Sequence, residues 1–210
     1  MNQQKTRRLF TAPGAWGGGS HGLSIILGPV VDAGLAAARD AAWTFPDLEG
    51  CWLRPDVEPA KQRRVTACQV GLHTALHGIA RIPEAVTCAT ATRREEDGQG
   101  WLHVYLPFGS LALALPLGAY PFDDGGDLAW RNALDGWLCR LAGHVRRTVP
   151  FELALVGCLD DQPDAIPGKP GEVPEQRWIG YLVPGPDGLA WHPPNQGAPF
   201  SVEPPVAPAR

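Results

Sequence analysis

The sequence predicts an α+β protein, a largely antiparallel β-sheet with two main helices. Three observations carry that prediction. Short runs of alternating apolar and polar residues recur along the chain. The clearest helical periodicity falls at residues 32–43 and 127–149. Two pairs of runs are joined by links made of turn residues, Glu95-Glu96-Asp97-Gly98 and Pro184-Gly185-Pro186-Asp187-Gly188, which read as hairpins.

The elements follow in order. Residues 21–27 are short and rich in β-formers, and Gly28-Pro29 ends them. Asp32 to Trp43 is alanine-rich, with Leu35, Arg39 and Trp43 spaced by four, and Pro46 closes that helix. Cys51-Trp52-Leu53 reads as a strand and the polar stretch 54–70 as a loop. Residues 72–82 fit a strand or a helix; Gly71, Gly78 and Pro83 favour the strand. Residues 86–93 and 101–106 form the first hairpin, with Trp101, His103 and Tyr105 on one side. Residues 107–122 read as an apolar loop because Pro107, Gly109, Pro116, Gly118 and Pro121 interrupt them. Trp130, Leu134, Trp137, Leu138, Leu141 and Val145 make one stripe of the long helix. Asp123, Asp124 and Asp127 at its start and Arg146-Arg147 at its end suit the helix dipole. A strand at 151–158, an acidic Pro/Gly loop at 160–176 and the second hairpin at 177–192 complete the fold.

Composition bounds the rest. The chain has 210 residues, 44% hydrophobic and 19% charged, with 25 glycines and 22 prolines. That suits one domain over residues 21–192, with a flexible lead-in at 1–20 and a Pro-rich tail at 193–210. It excludes a collagen, a coiled coil and general disorder. A net charge of −4 argues against nucleic acid as a partner. Five cysteines, an odd number with no CxxC pair, argue against a disulfide framework or zinc ribbon and for buried thiols in the cytoplasm. The competing signal is Thr6-Arg7-Arg8-Leu9-Phe10, which resembles a twin-arginine export motif. His21, Asp32 and three consecutive glycines interrupt what would follow it. Residues 101–122 carry no Asp, Glu, Lys or Arg, but their prolines and glycines do not suit a membrane span, and no membrane association is expected.

The order of elements repeats, which is compatible with two βαββ halves, 21–97 and 98–192. Each helix is followed by a proline and then a Gly-Cys strand, Pro46 with Gly50-Cys51 and Pro150 with Gly157-Cys158. That order resembles the duplicated layout of small-molecule-binding domains of the GyrI-like type. The resemblance implies one sheet with helices on one face and a small-molecule ligand.

Chemistry-bearing residues are sparse. His73 and His77, four apart, would share a metal ion on a helix; on a strand they stand about 13 Å apart and would not. The strand reading therefore leaves no metal site and no cofactor expected. Gly17-Gly18-Gly19-Ser20-His21-Gly22 lies before a strand rather than between strand and helix, and has no lysine, so it does not fit a phosphate loop. Asp123-Asp124 is explained by the helix start, and Asp160-Asp161 by loop solvation. Eight tryptophans stand out. Trp52, Trp101, Tyr105, Trp178 and Trp191 fall on or beside strands and are the candidate binding residues. The sequence reads best as a non-catalytic cytoplasmic binding protein, engaging a protein partner or a small apolar ligand through an aromatic surface. The competing class is an enzyme built on His73, His77, His103 and Asp123-Asp124.

Overall fold

The computed structural model describes residues 9–115, 129–158 and 172–195. Its strands are β1 (Ser20–Pro29), β2 (Leu48–Trp52), β3 (Leu76–Arg81), β4 (Ala85–Arg94), β5 (Gln99–Pro107), β6 (Leu153–Cys158), β7 (Gly180–Gly185) and β8 (Gly188–His192). They form one antiparallel sheet in the order β2-β3-β4-β5-β1-β6-β7-β8. The helices are α1 (Asp32–Trp43), α2 (Phe108–Ala114) and α3 (Ala129–Arg146). This is the α+β, antiparallel architecture that the alternation predicts. No helix among the described residues is long and apolar enough to cross a membrane.

β1 is central, between β5 and β6, and buried on both faces over nearly its whole length. That explains its weak alternation: a strand covered on both sides has no polar face to keep. Odd-numbered residues of β1 (Leu23, Ile25) and even-numbered residues of β5 (Leu102, Val104, Leu106) join the main core, on which α1 and α3 lie. The helices meet where Phe45 stands edge-on to Trp137, with ring centroids 5.5 Å apart, and where Thr44 Oγ1 and His144 Nε2 hydrogen-bond at 2.9 Å. Each fully buried large side chain such as Trp137 or Leu134 contributes roughly 1.5–3 kcal/mol.

Four expectations need correction. Residues 107–122 are not simply loop, because α2 occupies 108–114. The amides of Phe108 and Gly109 donate to the carbonyls of Gly19 and Gly17, and Ser110 Oγ accepts the Thr87 amide at 2.7 Å. The two glycine carbonyls satisfy helix-start amides that the local sequence does not cap, and the Ser110 bond ties the helix to β4. Second, β3 begins only at Leu76; His73 lies in an exposed turn before it. Third, the lead-in is packed: Phe10 is fully buried against Trp52 and Trp16, on the face of the sheet opposite the main core, near β2 and β3. Fourth, the expected duplication is not shown by the sheet. A two-fold exchanging β1 with β5 would exchange β4 with β6, β3 with β7 and β2 with β8, so each half would map onto the other with its strand order reversed. Residues 160–171 of the acidic loop, the tail beyond Asn195, and Asp123-Asp124 and Asp160-Asp161 lie outside the described residues.

The excursion between β2 and β3 is held by one side chain. Arg39 of α1, 1% exposed, donates to the carbonyls of Ala67, Val70, Gly71 and Leu72 at 2.7–2.9 Å. A guanidinium fork satisfies several carbonyls at once, which lets a charged group lie inside.

Candidate binding groove

The five candidate aromatic residues separate by environment. Trp52 is buried in the cluster with Phe10, Ile79 and Ala85. Trp101 is buried against Ile26, Leu153 and Tyr181 on the face opposite the main core. Its ring stacks on His103, which stacks on Tyr105, at centroid spacings of 5.7 Å in each case. Ser24 Oγ hydrogen-bonds His103 Nδ1 at 2.7 Å across the β1–β5 pair. Trp178 is half-buried, and its carbonyl accepts from Arg131 at 3.0 Å. Trp191, on the edge strand β8, is likewise half-buried and lines two adjoining cavities.

Those cavities form a groove between α3 and the β7–β8 hairpin. The first, about 440 Å³, has Leu182, Leu189 and Trp191 as its apolar floor, with Arg140 and Arg146 of α3 and Arg147 just past its end as its rim. The second, about 400 Å³, lies between Arg131 and Asp135 of α3 and the Trp191, Pro193 and Pro194 wall. Cys139 lines both. Helical spacing produces this: residues 139, 140, 143, 146 and 147 lie three and four apart and share one flank of α3.

Trp191 takes its place because β7 offers no side chain beneath it. A Cβ built at Gly180 would collide with the Trp191 ring, so the indole lies over that glycine. The Pro193–Pro194 wall is tied down by a small polar network. Arg177 Nε donates to the Pro193 carbonyl at 2.7 Å, and Asn195 Nδ2 donates to the Glu175 carbonyl at 2.7 Å.

Behind the second cavity lies a buried polar centre. His21 Nε2 donates to Asp135 Oδ1 at 2.7 Å, with Arg131 Nε 3.5 Å from Asp135 Oδ2. His21 is 0%, Asp135 5% and Arg131 8% exposed. The centre joins β1, α3 and the approach to β7, and so fixes the groove's inner wall. Sequence reasoning passed over His21 and Asp135; their separation in the chain leaves no local signal.

The thiols do not supply a nucleophile here. Burial, and then the nearby Asp135 charge, push Cys139 up to about 12. At neutral pH it stays protonated, and a thiol is a poor nucleophile.

A further cavity of about 480 Å³ opens between the C-terminal end of α1 and β2, lined by Asp40, Trp43, Cys51, Arg64 and Thr66 among others. Cys51 has φ +97°, a left-handed conformation at a bulge in the β2–β3 pair. Burial raises Asp40 above the ordinary carboxylate value, partly offset by Arg39.

His73 and His77 do not converge. His73 is exposed in its turn, whereas His77 is half-buried with Nδ1 3.3 Å from the Trp52 carbonyl and its ring edge-on to Trp16. Among the described residues no group of three His, Cys, Asp or Glu could hold a metal ion. Comparison with protein-family models, with curated proteins and with solved structures finds no match to this chain.

Proposed function

We propose that this chain is a non-catalytic binding protein that receives a protein partner in the groove between α3 and β8. The observation that carries this reading is Trp191, a large half-buried aromatic side chain that lines both of two adjoining cavities. An indole in that position offers a partner apolar area at little ordering cost, since its own ring is already fixed. The arginine rim gives orientation, as rim charges do. Trp52 and Trp101 are buried and support the scaffold in this reading; Tyr105 and Trp178 are half-buried away from the groove lining. Five cysteines, none in a disulfide, suit the reducing cytoplasm.

The test is native mass spectrometry of the protein recovered from its own host, as wild type and as Trp191→Ala. A stoichiometric second polypeptide on the wild type, lost from the variant, supports the reading. A bare wild-type chain, or a partner retained by the variant, overturns it. The cavity at Asp40 and strained Cys51 favours a second reading, a small-ligand site. A low-mass adduct lost on Asp40→Ala would favour that one.

A further inference from the structure

We infer that the partner binds as an extended acidic segment that adds to β8 as a ninth strand; this rests on the groove reading above. Among the described residues β8 is an edge of the sheet and pairs only with β7. Pro184, opposite Leu189, has no amide hydrogen, which fits a non-hydrogen-bonded pair. Alternation then assigns the β7 bonds to Ala190 and His192. The amides and carbonyls of Leu189 and Trp191 point the other way, off the edge. The same two residues supply the groove's floor. Main-chain pairing and side-chain contact are thus offered at the same positions, as strand addition requires.

The two edges of the sheet are treated differently. At β2 a bulge follows Gly50, and the Val65 amide occupies the Cys51 carbonyl at 2.9 Å, so that edge is blunted. Among the described residues no backbone hydrogen bond reaches β8 except from β7.

Charge selects the occupant. Every second side chain of an added strand faces the α3 flank. Arg147 stands there exposed; Arg140, also exposed, lies 3.8 Å from Asp47, and among the described residues Arg146 and Arg147 have no carboxylate partner. An acidic residue at alternate positions would meet this rim. A second copy of the chain, pairing β8 with β8, would bring the same arginines together across the dyad, which disfavours it.

The probe is a displayed library of random ten-residue peptides, selected on the full chain and counter-selected on Trp191→Ala. Enriched peptides are resynthesised with N-methyl groups on one or the other alternating set of amides. The expected result is Asp or Glu alternating with apolar residues. One N-methyl set should abolish binding and the other spare it, and Arg140→Gln with Arg147→Gln should weaken binding about fivefold. Trp191-dependent binders indifferent to both N-methyl sets overturn strand addition while leaving the groove reading intact. Binders without acidic residues overturn the charge assignment. No Trp191-dependent binder overturns the inference, while the host-derived complex still decides the groove reading. A native mass of two chains in place of peptide binding would assign the edge to a second copy and overturn it.

Discussion

His21 of β1 and Asp135 of α3 meet at 2.7 Å inside the protein, 114 residues apart in the chain. Arg131 completes the centre, so the carboxylate faces two potential cations while almost fully buried. Removing it leaves the Arg131 charge without compensation. Asp135→Ala should therefore destabilise the fold by about 3–5 kcal/mol, read from urea unfolding. Asp135→Asn, which keeps an acceptor and the volume, should cost less. Equal losses from the two would mean that the charge plays no part.

Gly78 of β3 sits beneath the Trp43 ring. A Cβ there would lie 2.6 Å from Trp43 Cζ3 and 2.7 Å from the Glu49 carbonyl oxygen. The indole has no freedom to retreat, because its N–H donates to Thr90 Oγ1 at 2.9 Å within the core. Gly78→Ala should cost about 1–3 kcal/mol by overpacking, measured as a lower urea midpoint with an unchanged slope. Gly98, whose Cβ would meet nothing, gives a contrast: at φ +87° its substitution costs backbone strain alone.

These two sites mark what is legible in the sequence. The strands of both hairpins, the α1 span and most of α3 follow from local periodicity and turn residues, and local rules suffice for them. Arg39 shows the limit. Its spacing places it on the buried stripe of α1, but its four carbonyl acceptors lie about thirty residues on, in a loop with no periodicity. The α2 start is invisible for the same reason, since its acceptors are carbonyls of the glycine-rich lead-in. Trp191 was among the candidate aromatics. Its groove was not foreseeable, because it depends on Gly180 lying beneath the ring and on α3 crossing above.

The five thiols should differ sharply in reactivity. Cys68 is exposed, whereas Cys51, Cys88 and Cys158 are buried and Cys139 is half-buried. Burial pushes Cys51 to about 11 and Cys139 to about 12, and raises Cys88 as well. Since the thiolate is the reacting form, the Cys51 and Cys139 thiolates are scarce at pH 8. A disulfide-exchange reagent at pH 8 should label one thiol rapidly, and Cys68→Ser should remove that phase. The others should react only with unfolding. A second fast phase would place another thiol within reach of solvent.

Stability should fall as pH drops below neutrality. Burial holds His77 below the ordinary imidazole value of 6.5. Burial and the Arg147 charge do the same to His144, which is more exposed and counts for less. A base depressed in the folded state takes up its proton more readily when unfolded. Unfolding therefore binds protons as pH falls below 6.5, and stability rises with pH across that window. Asp40 acts in the opposite sense: raised from 3.8, it contributes most at low pH and loses that contribution as pH climbs through its folded value. Urea midpoints at pH 7.5 and 5.5 should differ in favour of the higher pH. His77→Gln should reduce the difference; an unchanged difference would remove His77 as its source.

Gly180 should act as a positioning residue for Trp191. It pairs with Val156 of β6, and any side chain there would occupy the space of the indole. Gly180→Ala therefore forces the Trp191 ring off the sheet and into the groove, or out into solvent. The stability cost should be modest, about 1 kcal/mol, because Trp191 is only half-buried and belongs to an edge strand. The functional cost should be large, since both cavities share that ring as a wall. The measurement is a ¹⁵N-correlated spectrum with the Trp191 indole resonance assigned by its loss in Trp191→Ala. In Gly180→Ala that resonance should move while those of Trp43 and Trp137 stay in place, and the host-derived partner should be lost as it is with Trp191→Ala. A displaced indole with the partner still bound would detach Trp191 from recognition and leave it a covering residue of the sheet edge.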